Sequence, residues 1–293
     1  MTVRNFNMSI EIFDKSACEL GEGPLWHPLL AQLFWFDILS KTLFSKKNDT
    51  LLRWQFDEYV SAAGWIDRDH LIIASESALI KFNLKTADQT LICSLEANNN
   101  ATRSNDGRAD PWGGFWIGTM GKQAQTKAGA IYRYYQSELR KIHSDITISN
   151  AICFSPDRKF SYHADTAEQK IWRTPLSAID GWPTGEPQLF IDFGPDNLNP
   201  DGAICDSTGC LWVAQWGASR VAQYSAQGLF LQAVMLPTAH VSCPALGGAN
   251  FDQLIITTAR QGLSAKELAE QNAGMTFVVR SDVAGLAEYQ VHI

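Results

Sequence analysis

Residues 103–120 read RSNDGRADPWGGFWIGTM. The first five, Arg103-Ser104-Asn105-Asp106-Gly107, set a cation, an amide, a carboxylate and a glycine just ahead of an expected strand. From Arg108 the chain reads as a strand, a tight turn at Trp112-Gly113-Gly114, and a second strand, Phe115-Trp116-Ile117-Gly118. Polar groups at the mouth of a hairpin, with regular sheet behind them, are how a β-scaffold presents a site.

Outward from this stretch the same pattern recurs. Residues 22–44, 60–82, 105–135, 150–173, 201–224 and 244–279 each run as strand, turn and strand, with turns such as Asp67-Arg68-Asp69-His70, Ser155-Pro156-Asp157-Arg158 and Asp206-Ser207-Thr208-Gly209. Apolar and polar residues alternate over four to six positions, which predicts half-buried strands. Copies begin roughly every 40–50 residues, the spacing of propeller blades. Only residues 264–270, inserted in the sixth copy, look helical. Residues 9–13 form a strand without a partner in their own copy, so they are expected to close the ring against strands near the C-terminus. No Pro/Gly/Ser-rich linker divides the chain into two sandwiches. The expectation is an all-β fold, one six-bladed β-propeller domain spanning residues 1–293 with a central-channel metal site.

Composition agrees. The chain has 293 residues, 45% of them hydrophobic, enough for a sizeable core, and its 10 Trp, 21 Gly and 11 Pro suit short strands and tight turns. A net charge of −7 provides no basic face, so nucleic acid is not an expected partner. Cys18, Cys93, Cys153, Cys205, Cys210 and Cys243 show no CxxC spacing and read as reduced, buried thiols. The opening MTVRNFNMSIEIF lacks an apolar h-region, and no stretch reaches the length of a membrane span; a cytoplasmic location is expected. Nothing in the sequence bears on oligomeric state.

A propeller gathers the residues that precede its first strands around one end of the channel. Here these are Glu22, Asn105, Asn150 and Asp201, all oxygen donors, two of them carboxylates. Asn-Asp-Gly and Pro-Asp-Gly are also ordinary turn tripeptides. A Glu between two glycines, and an Asn closing Ile146-Thr147-Ile148-Ser149, are poorer turn fillers. Oxygen-only ligation suits one hard or borderline divalent cation, without separating Ca, Zn, Mn, Mg and Fe. The histidines His27, His70, His143, His163, His240 and His292 show no metal-pair spacing; His163 alone is placed in a strand, as a buried and satisfied residue. There is no Gly-x-Ser-x-Gly elbow, phosphate loop or Rossmann glycine pattern.

Four motifs together resemble the SMP-30/gluconolactonase family, which includes regucalcin and bacterial sugar lactonases. They are LGEGPLWHP (20–28), RSNDGRADPWGGFWIGTM (103–120), ISNAICFSPDRKFSYHADT (148–166) and NPDGAICDSTGCLWVAQWG (199–217). The segment ITTARQGLSAKELAEQNAGMTFVV (256–279) looks most like bacterial pentonolactonases such as xylonolactonase and arabinolactonase. The resemblance implies Glu22, Asn150 and Asp201 as metal ligands, Asp201 also as general base, and Arg103 and Asn105 as substrate contacts. It implies hydrolysis of a small-molecule sugar lactone, a pentono- or gluconolactone, to the aldonic acid. Trp216, between Gln215 and Gly217, then reads either as a flat wall for a sugar ring or as a blade-core residue. Regucalcin-like members carry an acidic substrate contact shortly after Gly-Thr-Met, where this chain has Gly121-Lys122-Gln123. Two other functions fit the same residues: a non-catalytic, metal-binding regulatory propeller, and an esterase or phosphotriesterase using the same metal.

Overall fold

The computed structural model describes residues 9–270 and 272–293. Six four-stranded antiparallel sheets are the blades of a propeller. Their innermost strands are Gly21–His27, Val60–Trp65, Thr102–Ala109, Ser149–Phe154, Asn199–Cys205 and Val241–Gly247. Each inner strand packs beside the next, and the sixth returns to the first. The expected closure holds: Glu11–Asp14 pairs antiparallel with Thr276–Arg280, the third strand of the sixth blade, in the register Glu11↔Val278. The expected helix spans Ala265–Glu270, between the second and third strands of that blade. The reading of the leader rests partly on residues 1–8, which lie outside the described residues.

The half-buried alternation expected of the strands is not what the inner strands show. Gln32–Asp37 (QLFWFD) and Phe115–Gly121 (FWIGTMG), second strands of the first and third blades, are buried at every position. Blades stack face to face, so both faces of the first two strands are covered. Trp35, Trp116 and Trp212, each at most 1% exposed, fill these inter-blade layers. Burying one such side chain is worth roughly 1.5–3 kcal/mol. The fourth strands, such as Thr50–Gln55 and Gln89–Ser94, form the rim and are largely exposed.

Two turns away from the site end are fastened by a buried carboxylate in the pattern Asp-x-x-x-x-x-Trp. Asp110 accepts from the Trp112 and Gly114 N–H groups, from Trp116 Nε1 at 3.0 Å and from Arg133 Nε at 2.6 Å. Asp206 accepts from the Thr208 and Cys210 N–H groups, Trp212 Nε1 and Gln223 Nε2. Across the same end runs the C-terminal segment, residues 281–293. It bonds Ser207 N to Ala284 O, Val291 N to Trp65 O and His292 N to Gly113 O, tying the first turns of several blades together. Glu288 enters the channel and pairs with Arg108, both side chains nearly buried. Beneath them a void of about 30 Å³ remains. No helix among the described residues is long and apolar enough to cross a membrane.

Candidate active site

The predicted site residues lie within the first strands, not just ahead of them. Glu22 is the second residue of Gly21–His27, Asn105 the fourth of Thr102–Ala109, Asn150 the second of Ser149–Phe154, and Asp201 the third of Asn199–Cys205. The pentapeptide Arg103 to Gly107 is therefore strand. Each polar residue sits where its strand bulges: pairing slips between Glu22 and Leu25, Ser104 and Gly107, Asn150 and Cys153, and Pro200 and Ala203. A bulge re-aims side chains without ending the strand, which is why turn-like tripeptides occur inside sheet. Gly23 (φ +54°) and Ala151 (φ +56°) adopt the left-handed backbone these bulges need. A Cβ at Gly23 would lie 2.3 Å from Ser61 O. The second and sixth blades bulge at Ser61 and Ser242 instead; these hydroxyls bond Ser104 Oγ (2.8 Å) and Gly21 O (2.5 Å), stitching neighbouring blades.

All six predicted residues, Glu22, Arg103, Asn105, Asn150, Asp201 and Trp216, line one cavity of about 440 Å³ at the open end of the channel. Arg103 Nη1 donates to Asn105 Oδ1 at 2.7 Å, and Asn105 Nδ2 to Asn150 Oδ1 at 3.0 Å. Burial pushes the Glu22 carboxyl up to about 8, with repulsion from Asp106 adding and the Gly23 N–H and Arg103 opposing. Asp201 is held well above the carboxylate range by burial and then by Glu22 and Asp106, against the Gly202 N–H and Arg103. Burial lowers Arg103 to about 10, despite Glu22, Tyr59, Asp201 and Glu76. Two buried carboxylates, Glu22 and Asp201, thus share one cation, Arg103, at the mouth, with Asp106 repelling both from below.

That imbalance tests the fit of a divalent cation. Two carboxylates, Glu22 and Asp201, and the Asn150 amide oxygen form an all-oxygen set with excess buried negative charge, which a hard dication would neutralise. Among the described residues no cluster of three or more His, Cys, Asp or Glu forms a cage; this set has two carboxylates, its third donor being an amide. The residues fit.

Several residues of the site were not singled out in the sequence. Asp106, held by the Ile152 N–H at 2.6 Å and raised to about 6 by burial, faces the channel below Glu22 and Asp201. Thr166 lines the cavity and bonds Asn150. His240 also lines it, stacked on Trp216 at 4.2 Å and 15°, with Nδ1 2.8 Å from Gln261 O. Trp216 lines the cavity and also packs against the core of the first and second blades. At the departure, Lys122 lines the cavity and pairs with Glu76 of the second blade, which does not itself line the cavity.

The histidine reading needs correcting twice. His27, His70 and His143 also lie in strands. His163 is buried, but its Nδ1 has no partner, and the ring stacks on His143 at 4.4 Å between third and fourth blades. Cys18, Cys153, Cys205 and Cys243 are buried thiols as expected, but Cys93 and Cys210 are only half-buried, contrary to expectation.

Residues 20–260 match the family described as SMP-30/Gluconolactonase/LRE-like region. An L-arabinolactonase of Azospirillum brasilense is 34% identical, covering 92% of this chain and 90% of its own. A 6-deoxy-6-sulfogluconolactonase of Pseudomonas putida is 32% identical over 96% of this chain and 98% of its own. The crystal structure of a calcium-binding protein, regucalcin, from Agrobacterium tumefaciens superposes with a TM-score of 0.95 at 34% identity, covering 98% of both chains.

Proposed function

This chain belongs to the SMP-30/gluconolactonase/LRE-like family, and from that premise we propose that it is a sugar lactone lactonohydrolase, opening an aldonolactone to the aldonic acid. The observation that carries the reading is the single cavity wall on which Glu22, Arg103, Asn105, Asn150 and Asp201 meet from four blades. Relatives named for arabinolactone and sulfogluconolactone hydrolysis support the substrate class.

Glu22, Asn150 and Asp201 would hold one divalent cation, which when bound supplies electrophilic polarisation of the lactone carbonyl and stabilisation of developing oxyanion charge. Asp201 takes the proton of the attacking water. A bound dication would favour the ionised carboxylate, the form a general base needs. Arg103 is donor-only and Asn105 is already oriented by it, so the pair presents a fixed pattern to ring hydroxyls or the carbonyl. The flat face of Trp216 fits a pyranose or furanose ring. Opening the ring leaves a carboxylate in a mouth that holds Arg103.

The test is proton release on adding xylono-, arabino-, glucono- and galactonolactones, with metal stripped and then restored ion by ion. Metal-dependent acceleration on one or two lactones is expected. No acceleration by any ion from folded protein would favour a binding platform instead. Asp201→Asn should lose at least about 100-fold in kcat; near-wild-type turnover would remove Asp201 as the base.

A further inference from the structure

Thr166 ends a chain of hydrogen bonds whose direction is forced from both ends. At one end Arg103 can only donate, so Asn105 must turn Oδ1 toward it, at 2.7 Å. Asn105 Nδ2 then faces Ser149 O at 2.8 Å and Asn150 Oδ1 at 3.0 Å. At the other end the Pro200 carbonyl can only accept. Thr166 Oγ1 gives it its one proton at 2.6 Å. The same hydroxyl can therefore only accept from Asn150, whose Nδ2 lies 2.8 Å away. Both ends demand the same amide orientation in Asn150. Its nitrogen turns away toward the fourth blade's second-strand exit, and its oxygen stays on the side of Asn105 and the cavity.

We propose that Thr166 is a positioning residue that fixes the Asn150 amide with its oxygen presented to a bound divalent cation, and ties that oxygen to the backbone beside Asp201. The inference rests on the metal reading given under the proposed function. Thr166 is well placed for the second task, because the carbonyl it bonds belongs to the residue before Asp201. Its own backbone is anchored: Thr166 N donates to Ile148 O at 3.1 Å, and Asp165 accepts from the Thr147, Ile148 and Ala167 N–H groups. The hydroxyl is thus held by the strand connection as well as by its partners. Without it, Asn150 Nδ2 would be a buried donor with no acceptor, and the Pro200 carbonyl would lose its donor.

The experiment is a Mn²⁺ titration of metal-stripped protein followed by the EPR signal of free ion, with Ca²⁺ and Zn²⁺ as competitors. The variants are Thr166→Val, Thr166→Ala and Thr166→Ser, with the melting temperature of each metal-free protein measured alongside. The valine and alanine variants should bind Mn²⁺ about 10–100-fold more weakly, the range for loss of a partner that orients a ligand. Serine, which keeps both bonds, should stay within about threefold of wild type. Valine or alanine variants that bind within threefold would overturn the inference while leaving the metal reading intact. Wild-type protein that takes up none of the three ions would sink the metal reading and this inference with it. If neither hydroxyl-free variant folds without metal, Thr166 serves the fold and not the amide, and the inference falls.

Discussion

Removing Arg108 should cost far more stability than removing its partner Glu288, although the two form one ion pair. Arg108 is 8% exposed and Glu288 7%, and the guanidinium also faces Asp106 and the Ile152 carbonyl at 3.3 Å. Below the mouth the channel therefore holds Asp106, Arg108 and Glu288, a net charge of −1. Arg108→Met leaves two carboxylates there with no cation. Breaking a buried pair in this way costs about 3–5 kcal/mol. Glu288→Gln leaves Arg108 balanced by Asp106, and the amide oxygen can still accept from Nη1. That exchange replaces a charged acceptor with a neutral one and should cost about 1 kcal/mol. Equilibrium urea unfolding of metal-free protein at pH 7, with equal m-values checked, measures both. A Glu288→Gln loss as large as that of Arg108→Met would refute the charge reasoning and leave only the packing of the C-terminal segment to explain the pair.

Acid should weaken the fold through the stacked histidines. Burial lowers His143 to about 4 and His163 well below its ordinary value, so the folded state stays neutral where the unfolded chain takes up protons. Stability is then full above about pH 6.5 and falls toward pH 4, by up to ~1.4 kcal/mol per pH unit for each such histidine; His163→Phe should flatten the slope of unfolding free energy against pH, and parallel slopes would remove His163 from the account. Trp216→Ala should raise KM about tenfold with kcat nearly kept, since a flat wall binds ground and transition states alike; a pure kcat loss in lactone hydrolysis would contradict that role. Gly202→Ala should cost about 1–3 kcal/mol by overpacking, because the added Cβ would meet Cys243 Sγ at 2.3 Å and Cys243 Cα at 2.9 Å; urea unfolding unchanged from wild type would show that the inner strands can part there.

The propeller was legible because its signal repeats. Six strand–turn–strand units at similar spacing need only local pattern, and the strand at Glu11–Asp14, lacking a neighbour, could be paired only by closing the ring. The site was legible in part for the same reason: Glu22, Asn105, Asn150 and Asp201 hold equivalent places in four units. What failed was geometry that depends on neighbours. Asn-Asp-Gly and Pro-Asp-Gly carry turn chemistry, and bulges use that chemistry inside strands, so the motif was placed one step too early. His240 comes from the loop before the sixth inner strand and reaches the cavity only by stacking on Trp216 from the fifth blade. Thr166 looks like an ordinary residue at the start of a short 3-10 turn, Thr166–Glu168. Its importance lies in which groups accept and which donate around it, and no periodicity encodes that. The rim strands were overlooked because exposed strands need no apolar pattern.

The C-terminal segment across the far end has a kinetic consequence. A through-channel would let a lactone enter by one face while the aldonate left by the other. With Glu288 seated on Arg108 and only about 30 Å³ left beside them, that end has no room for a sugar-sized product among the described residues. Substrate and product then share one doorway. Under the proposed activity each turnover must therefore clear its aldonate before the next lactone can dock, and the product competes with the substrate for the same Arg103-lined threshold.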